Sequence, residues 1–556
     1  MASAAQGSHG RAKPVGARRR KLASEPNKGG AGGGGWTPAR SAAGRHNPWL
    51  IILIISLATF MEVLDTAIAN VALTHIAGSL AVSNDEATWV LTSYLVANAA
   101  VVPISGWLSE VVGRKRFYMI SVALFTVSSF FCGVAPSLTF LILARVVQGI
   151  GGGGLAPSEQ SIIADTFPPA KRGLAFAAYG VVVVAAPALG PTLGGWITDN
   201  ISWHWIFLIN VPVGILSLAL VQTFVAEPDV LKKERREKLK GGLRVDYVGF
   251  ALVALGLGCL EVTLDRGQRD DWFSSGFILA MAVIAAVSLI LLVVWELLHD
   301  EPIVDIRLFG NRNFAVVCFM MFVVGVVLLG STQIMPQMLQ EVFGYTATLS
   351  GEALTVGGIF AVLAMPFAGL LVGKVQTRYI LAGAFALQAV AMWHLTGIDT
   401  GASFSHLAEA RLYQAIGLPF LFIPITNQAY ADLKPQETGQ ASALLNVMRN
   451  LGGSFGISLS QALILRREQF HQSRITEGLS PINPDYVQGL DQARQTLGQA
   501  SPGDNAPVNV IYQQVTGQSA MLSYIDAFWV LAIVAAIACV MAVLLKPAAG
   551  GEGGGH

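Results

Sequence analysis

Carboxylates and guanidinium groups set inside long apolar stretches are the residues of this sequence best placed to do chemistry, and the chemistry they suit is proton and ion movement. Asp65 and Arg145 each interrupt a run long enough to cross a bilayer. A charge at the centre of such a segment costs at least about 2.5 kcal/mol, so it is kept with a partner or beside a water-filled cavity. Counted along helices at 1.5 Å per residue, Asp65 lies about 10 Å and Arg145 about 12 Å below the same face, which lets them pair. Burial favours the neutral carboxyl and a neighbouring Arg the charged one, the competition that a proton-exchanging group needs. The competing reading is a structural ion pair. Glu62 lies three residues before Asp65 on the same helix face, so the two acids can share a proton or hold a cation. Glu159, Arg411 and Arg449 are the candidate substrate-cavity residues; Glu62 and Asp65 are suited to cations, and Arg411 and Arg449 to anions such as fatty acids or weakly acidic uncouplers. A polyspecific apolar cavity accommodates both.

Other chemistries lack their residues. The chain has no Gly-x-x-x-x-Gly-Lys-[Ser/Thr] phosphate cradle, no His-Glu-x-x-His and no Cys-x-x-Cys; its nine histidines are scattered. Neither an enzyme, a resident metal or cofactor, nor a nucleic-acid partner is expected, and energy must come from a gradient.

The elements that must position these residues are membrane helices. Only 13% of the 556 residues are charged and 53% are apolar, against about 25% charged in an average soluble chain. Fourteen spans are expected, near 49–72, 87–108, 117–135, 138–165, 174–199, 203–225, 246–264, 276–298, 314–339, 350–372, 379–397, 406–429, 441–464 and 521–545. With both ends on one side, the tails and loops of that side hold 27 of the 36 Lys and Arg, the opposite loops 6, and the spans the remaining 3. Basic loops stay cytoplasmic, so both termini are assigned there. Cys132, Cys259, Cys318 and Cys539 fall inside spans and read as small apolar residues.

Internal symmetry divides the chain. Ala144-Arg145-Val146-Val147-Gln148-Gly149-Ile150-Gly151 matches Ala410-Arg411-Leu412-Tyr413-Gln414-Ala415-Ile416-Gly417 at an offset of 266 residues, which also relates Gly190 to Gly456. The repeat equates spans 4 and 12 and is parallel. The expected organisation is a disordered tail over 1–48, a six-helix half over 49–225 and a basic linker over 226–245. An inserted helix pair over 246–298, a second half over 314–545 and a Gly-rich tail over 546–556 complete it. The outer segment 466–520, rich in Gln, Asn, Ser and Pro, is too poor in large apolar residues for its own core. It is expected to be ordered by contact or to stay mobile.

Gly180, Pro187, Gly190, Pro191, Gly194 and Gly195 concentrate in span 5. Small residues four apart let helices approach closely, which implies a rocking interface, with tight static packing as the alternative. These residues together resemble the major facilitator superfamily. Gly106-Trp107-Leu108-Ser109-Glu110-Val111-Val112-Gly113-Arg114-Lys115 resembles its G-x-L-a-D-r-x-G-r-k signature, and Arg145-Val146-Val147-Gln148-Gly149 its R-x-x-Q-G motif. Gly190-Pro191-Thr192-Leu193-Gly194-Gly195 is similar to the G-P-x-x-G-G antiporter motif. Leu64-Asp65-Thr66-Ala67-Ile68-Ala69-Asn70-Val71-Ala72-Leu73 is similar to a signature of 14-span drug:proton antiporters of the EmrB/QacA type, and the likeness to the EmrB branch runs from about residue 47 to the end.

The resemblance implies an all-α polytopic fold of two six-helix halves plus two inserted helices. It also implies proton coupling at Asp65 with help from Arg145, and a cytoplasmic gate locked by Glu110 and Arg114 beside Gly106 and Gly113. Glu110 stands where the signature has Asp, and Thr377-Arg378 replaces Arg-Lys in the second half, which receives no gate role. The expected function is proton-coupled efflux of hydrophobic toxic compounds across a bacterial inner membrane, with a periplasmic adaptor and an outer-membrane channel as partners. The alternative is a proton symporter importing a nutrient or siderophore on the same fold.

Overall fold

The computed structural model describes residues 47–545 apart from 228–231, 233–234, 237–245, 300–301, 373, 432, 434–436, 481 and 498–505. The expected tails and most of the expected linker therefore lie outside the described residues. Secondary structure is helical: α1 Pro48–Leu80, α2 Trp89–Val112, α3 Arg114–Gly133, α4 Leu138–Gly152, α5 Leu155–Thr166, α6 Pro169–Asn200 and α7 Asn210–Phe224 come first. They are followed by α8 Tyr247–Arg266, α9 Gly276–Leu298, α10 Arg312–Glu341, α11 Ala347–Leu371, α12 Thr377–Leu395, α13 Phe404–Ala429, α14 Thr438–Glu477, α15 Pro484–Leu497 and α16 Ala506–Ala542. Each expected span has a helix over it; α4 and α5 share span 4, separated by the glycine run 151–154.

Ten described spans are long and apolar enough to cross a membrane, eleven if the bent α6 is one. Helices α12, α13 and α14 are not among them. Arg411 and Gln414 on α13, and Gln440 and Asn446 on α14, are buried against protein, and a side chain that meets protein rather than lipid has no need to be apolar.

The packing follows the repeat. Helix α1 lies on α6 as α10 lies on α14; α2 on α4 as α11 on α13; α3 on α7 as α12 on α16. Contacts between these two sets run through α6 against α11 and α2 against α14. The inserted helices α8 and α9 pack on each other, and α8 touches both α2 and α14. There Ser454 donates to Glu261 at 2.7 Å, Arg266 donates to Thr88 at 3.2 Å, and Thr92 donates to Asp265.

The outer segment departs from the loop expected over 466–520. Helix α14 continues to Glu477, α15 packs on α16, and α16 begins well before its membrane portion. Few apolar residues suffice: Ala493 of α15, and Ile511 and Val515 one turn apart on α16, are all buried. Asp526 of α16 then ties down the α14 extension, meeting Arg467 at 2.5 Å and His471 at 2.7 Å.

Candidate functional site

Asp65 and Arg145 do meet. Both are buried, and Arg145 Nη1 donates to Asp65 Oδ2 at 2.5 Å. Asp65 Oδ1 accepts from Gln148 Nε2 at 3.1 Å and from Asn210 Nδ2 at 2.8 Å. Ser129 Oγ accepts from the same two amides at 3.3 and 3.1 Å. Arg145 also donates through Nε to the Val90 carbonyl at 3.0 Å and lies 4.4 Å from the Tyr94 ring centroid. One carboxylate thus collects donors from α4 and α7. Gln148, Asn210 and Ser129 were not singled out from sequence, although Gln148 is the Gln of the R-x-x-Q-G match.

Glu62 does not bond Asp65. It accepts from Tyr94 Oη at 3.3 Å and Asn98 Nδ2 at 3.4 Å, so Tyr94 stands between Glu62 and the Arg145 guanidinium. Arg449 on α14 is half-buried. Glu159 is wholly buried. Its carboxylate is enclosed by hydroxyls, accepting from Tyr118 Oη at 3.1 Å and from Thr59 Oγ1. Arg411 is buried on α13 with Gln414 and Thr332, apart from the Asp65 cluster.

On the basic face, α2 ends because Gly113 takes φ +101°, where a Cβ would also strike the Arg235 guanidinium. Arg235 in turn donates to the Val112 carbonyl at 3.1 Å, so this part of the linker caps a helix. Arg114 meets the Asp165 carboxylate at the end of α5, and its Nη2 donates to Thr438 Oγ1 of α14 at 2.8 Å. Glu110 is half-buried on the last turn of α2. Asp165 is the addition that the sequence signature did not contain. Beside it Gly106 allows α2 to touch α14: a Cβ there would lie 2.9 Å from the Gly439 oxygen.

The span 5 glycines are not equivalent. A Cβ on Gly190 would lie 2.5 Å from that of Ala67, and one on Gly194 would lie 2.8 Å from Ile68 Cγ2. Gly195 faces open space, and Pro191 is placed on α6 by its backbone. Gly190→Ala should therefore lower thermal stability by about 1–3 kcal/mol through overpacking. Gly195→Ala should be neutral or stabilise by roughly 0.5–1 kcal/mol, since Ala suits a helix better. Thermal unfolding of the two purified variants checks this; equal melting temperatures would mean that α6 does not clamp α1.

A helical bundle with a buried acid–base pair in one set of spans, and on one face a second ion pair whose arginine donates across to the other set, defines a multi-pass membrane transporter. The chain belongs to the major facilitator superfamily, which it matches over residues 55–457, and within it to the EmrB-like transporters. It is 39% identical to the multidrug export protein EmrB of Haemophilus influenzae over 488 residues, covering 87% of this chain and 93% of the relative. EmrB of Escherichia coli strain K12 is 38% identical, with 91% and 98% covered. The fatty acid resistance protein FarB of Neisseria gonorrhoeae is 35% identical, with 91% and 97% covered. Among solved structures, a double Trp mutant of XylE aligns with a TM-score of 0.59 over 90% of this chain and 97% of its own, at 15% identity, a likeness of fold alone.

Proposed function

We propose that this chain is a proton-coupled multidrug efflux antiporter that exports hydrophobic toxic compounds across a bacterial inner membrane, with both termini cytoplasmic. The observation that carries the reading is the placement of the antiporter motif against the proton site. Gly190 and Gly194 of α6 press on Ala67 and Ile68, the turn of α1 that directly follows Asp65. Arg145 and Gln148 of α4 and Asn210 of α7 all donate to Asp65, and a proton arriving there removes the negative charge that holds them. Protonation thereby loosens α1 from α4 and α7 while α6 stays clamped to α1, which couples a proton to helix movement. Arg114 with Asp165 and Thr438 holds the cytoplasmic side closed in this state, and Glu110 belongs to the same gate.

The test is substrate-induced proton release together with dye efflux in inverted membrane vesicles. Drug addition should collapse an imposed pH gradient; uptake of a nutrient with inward proton flow, and no drug response, would favour the symporter. At the gate, Glu110→Gln should impair transport more than Glu110→Asp, because only Asp keeps a carboxylate. Identical transport rates in the two variants would remove Glu110 from the gate.

The same reading makes the chain the permease of a tripartite pump, with a periplasmic adaptor and an outer-membrane channel as partners. The extension of α14, with α15, supplies a rigid surface for the adaptor. Replacing 480–504 with a short Gly/Ser linker removes α15 while retaining α14 and α16. Adaptor pull-down and whole-cell resistance should be lost with insertion unchanged, and co-purification at wild-type yield would exclude α15 as the docking element.

A further inference from the structure

The offset of 266 that relates the two halves carries Arg145 to Arg411, Gln148 to Gln414 and Asp65 to Ser331, since 65 + 266 = 331. The atoms repeat as well. Arg145 Nη1 donates to Gln148 Oε1 and Gln148 Nε2 to Asp65; Arg411 Nη1 donates to Gln414 Oε1 and Gln414 Nε2 to Ser331 Oγ. In the second half the guanidinium is therefore held in the same way while the carboxylate that balances it is replaced by a hydroxyl.

Arg411 is 7% exposed, and its Nε is buried with no hydrogen-bond partner. Its other recorded partner is Thr332 Oγ1, at 3.1 Å from Nη2. Among the described residues no carboxylate lies within ion-pair distance of it. An arginine does not shed its proton, and a buried cation without a counter-charge is costly, so this site is built for an anion that the chain does not supply. Thr332, which Arg411 also meets, is half-buried rather than enclosed.

The geometry points to Arg411, Gln414, Ser331 and Thr332 as a binding site for the carboxylate of an apolar acid, the transported molecule supplying the charge that Asp65 supplies in the other half. This rests on the efflux reading for its role in transport but not for binding. The assay is isothermal titration of the full chain in phosphatidylcholine nanodiscs, without a proton gradient, comparing naphthalene-2-carboxylate with the neutral naphthalene-2-carboxamide. The carboxylate should bind about tenfold tighter or more, the scale of a charge-assisted hydrogen bond. Arg411→Gln should abolish that preference. Ser331→Asp should abolish it too and raise the melting temperature, because it restores an internal counter-ion; it carries the test if Arg411→Gln does not fold. Equal binding of acid and amide by the wild type, or a preference that survives Ser331→Asp, overturns the site. A preference lost when phosphatidylglycerol replaces phosphatidylcholine assigns Arg411 to lipid headgroups and overturns it equally. Proton-driven efflux of a cationic dye by the wild type is measured separately, so failure of the anion site and failure of the efflux reading are distinguishable.

Discussion

Asp65→Asn should reduce proton-driven export to background and also lower the melting temperature. The substitution removes the ionisable proton site, and it leaves Arg145, which is fully buried, without the carboxylate it meets at 2.5 Å. Breaking one side of a buried pair costs about 3–5 kcal/mol. The double variant Asp65→Asn/Arg145→Gln removes both charges, so it should regain most of the lost stability while remaining unable to couple. Thermal unfolding and drug-induced proton release, measured on the same preparations, separate the two effects. Normal proton release by either variant would remove Asp65 from coupling; recovery of stability without recovery of transport would show that its role exceeds that of a structural ion pair.

Asp165→Asn should be the most damaging change on the face where α2 meets α14. It removes the carboxylate that Arg114 meets, and Thr438 of α14, to which Arg114 donates at 2.8 Å, then remains as the weaker of these two contacts. Arg114 and Asp165 belong to the same set of helices, so the change acts on the gate by freeing the guanidinium from the orientation in which it donates to Thr438 across the bundle, which should shift the gate toward open. Spin labels on the cytoplasmic ends of α2 and α14 should report a longer separation, and drug export should fall with it. The charge-swapped Arg114→Asp/Asp165→Arg should recover part of both. Unchanged label distances in Asp165→Asn would mean that the pair does not hold the gate.

Much of this protein was legible in its sequence because the bilayer imposes a simple constraint. Span length, the scarcity of charge and the expense of keeping Asp65 and Arg145 in apolar surroundings are one-dimensional signals, and so is the repeat that equates Arg145 with Arg411. They determined the helical class, the family resemblance and the meeting of Asp65 with Arg145. Three matters were decided only in three dimensions. Helix α14 runs on to Glu477 because Arg467 and His471 reach Asp526, some fifty-five residues or more away in sequence. Arg114 meets Asp165 because α5 delivers that acid to the end of α2, a pairing that no local spacing encodes. Glu159 is enclosed by hydroxyls from α1 and α3, whereas Arg411 is left with amide and hydroxyl partners, and residue type alone cannot tell those environments apart. Helical periodicity says which residues share a face; which neighbour that face meets depends on how distant helices pack, and that is where a buried charge acquires or lacks its partner.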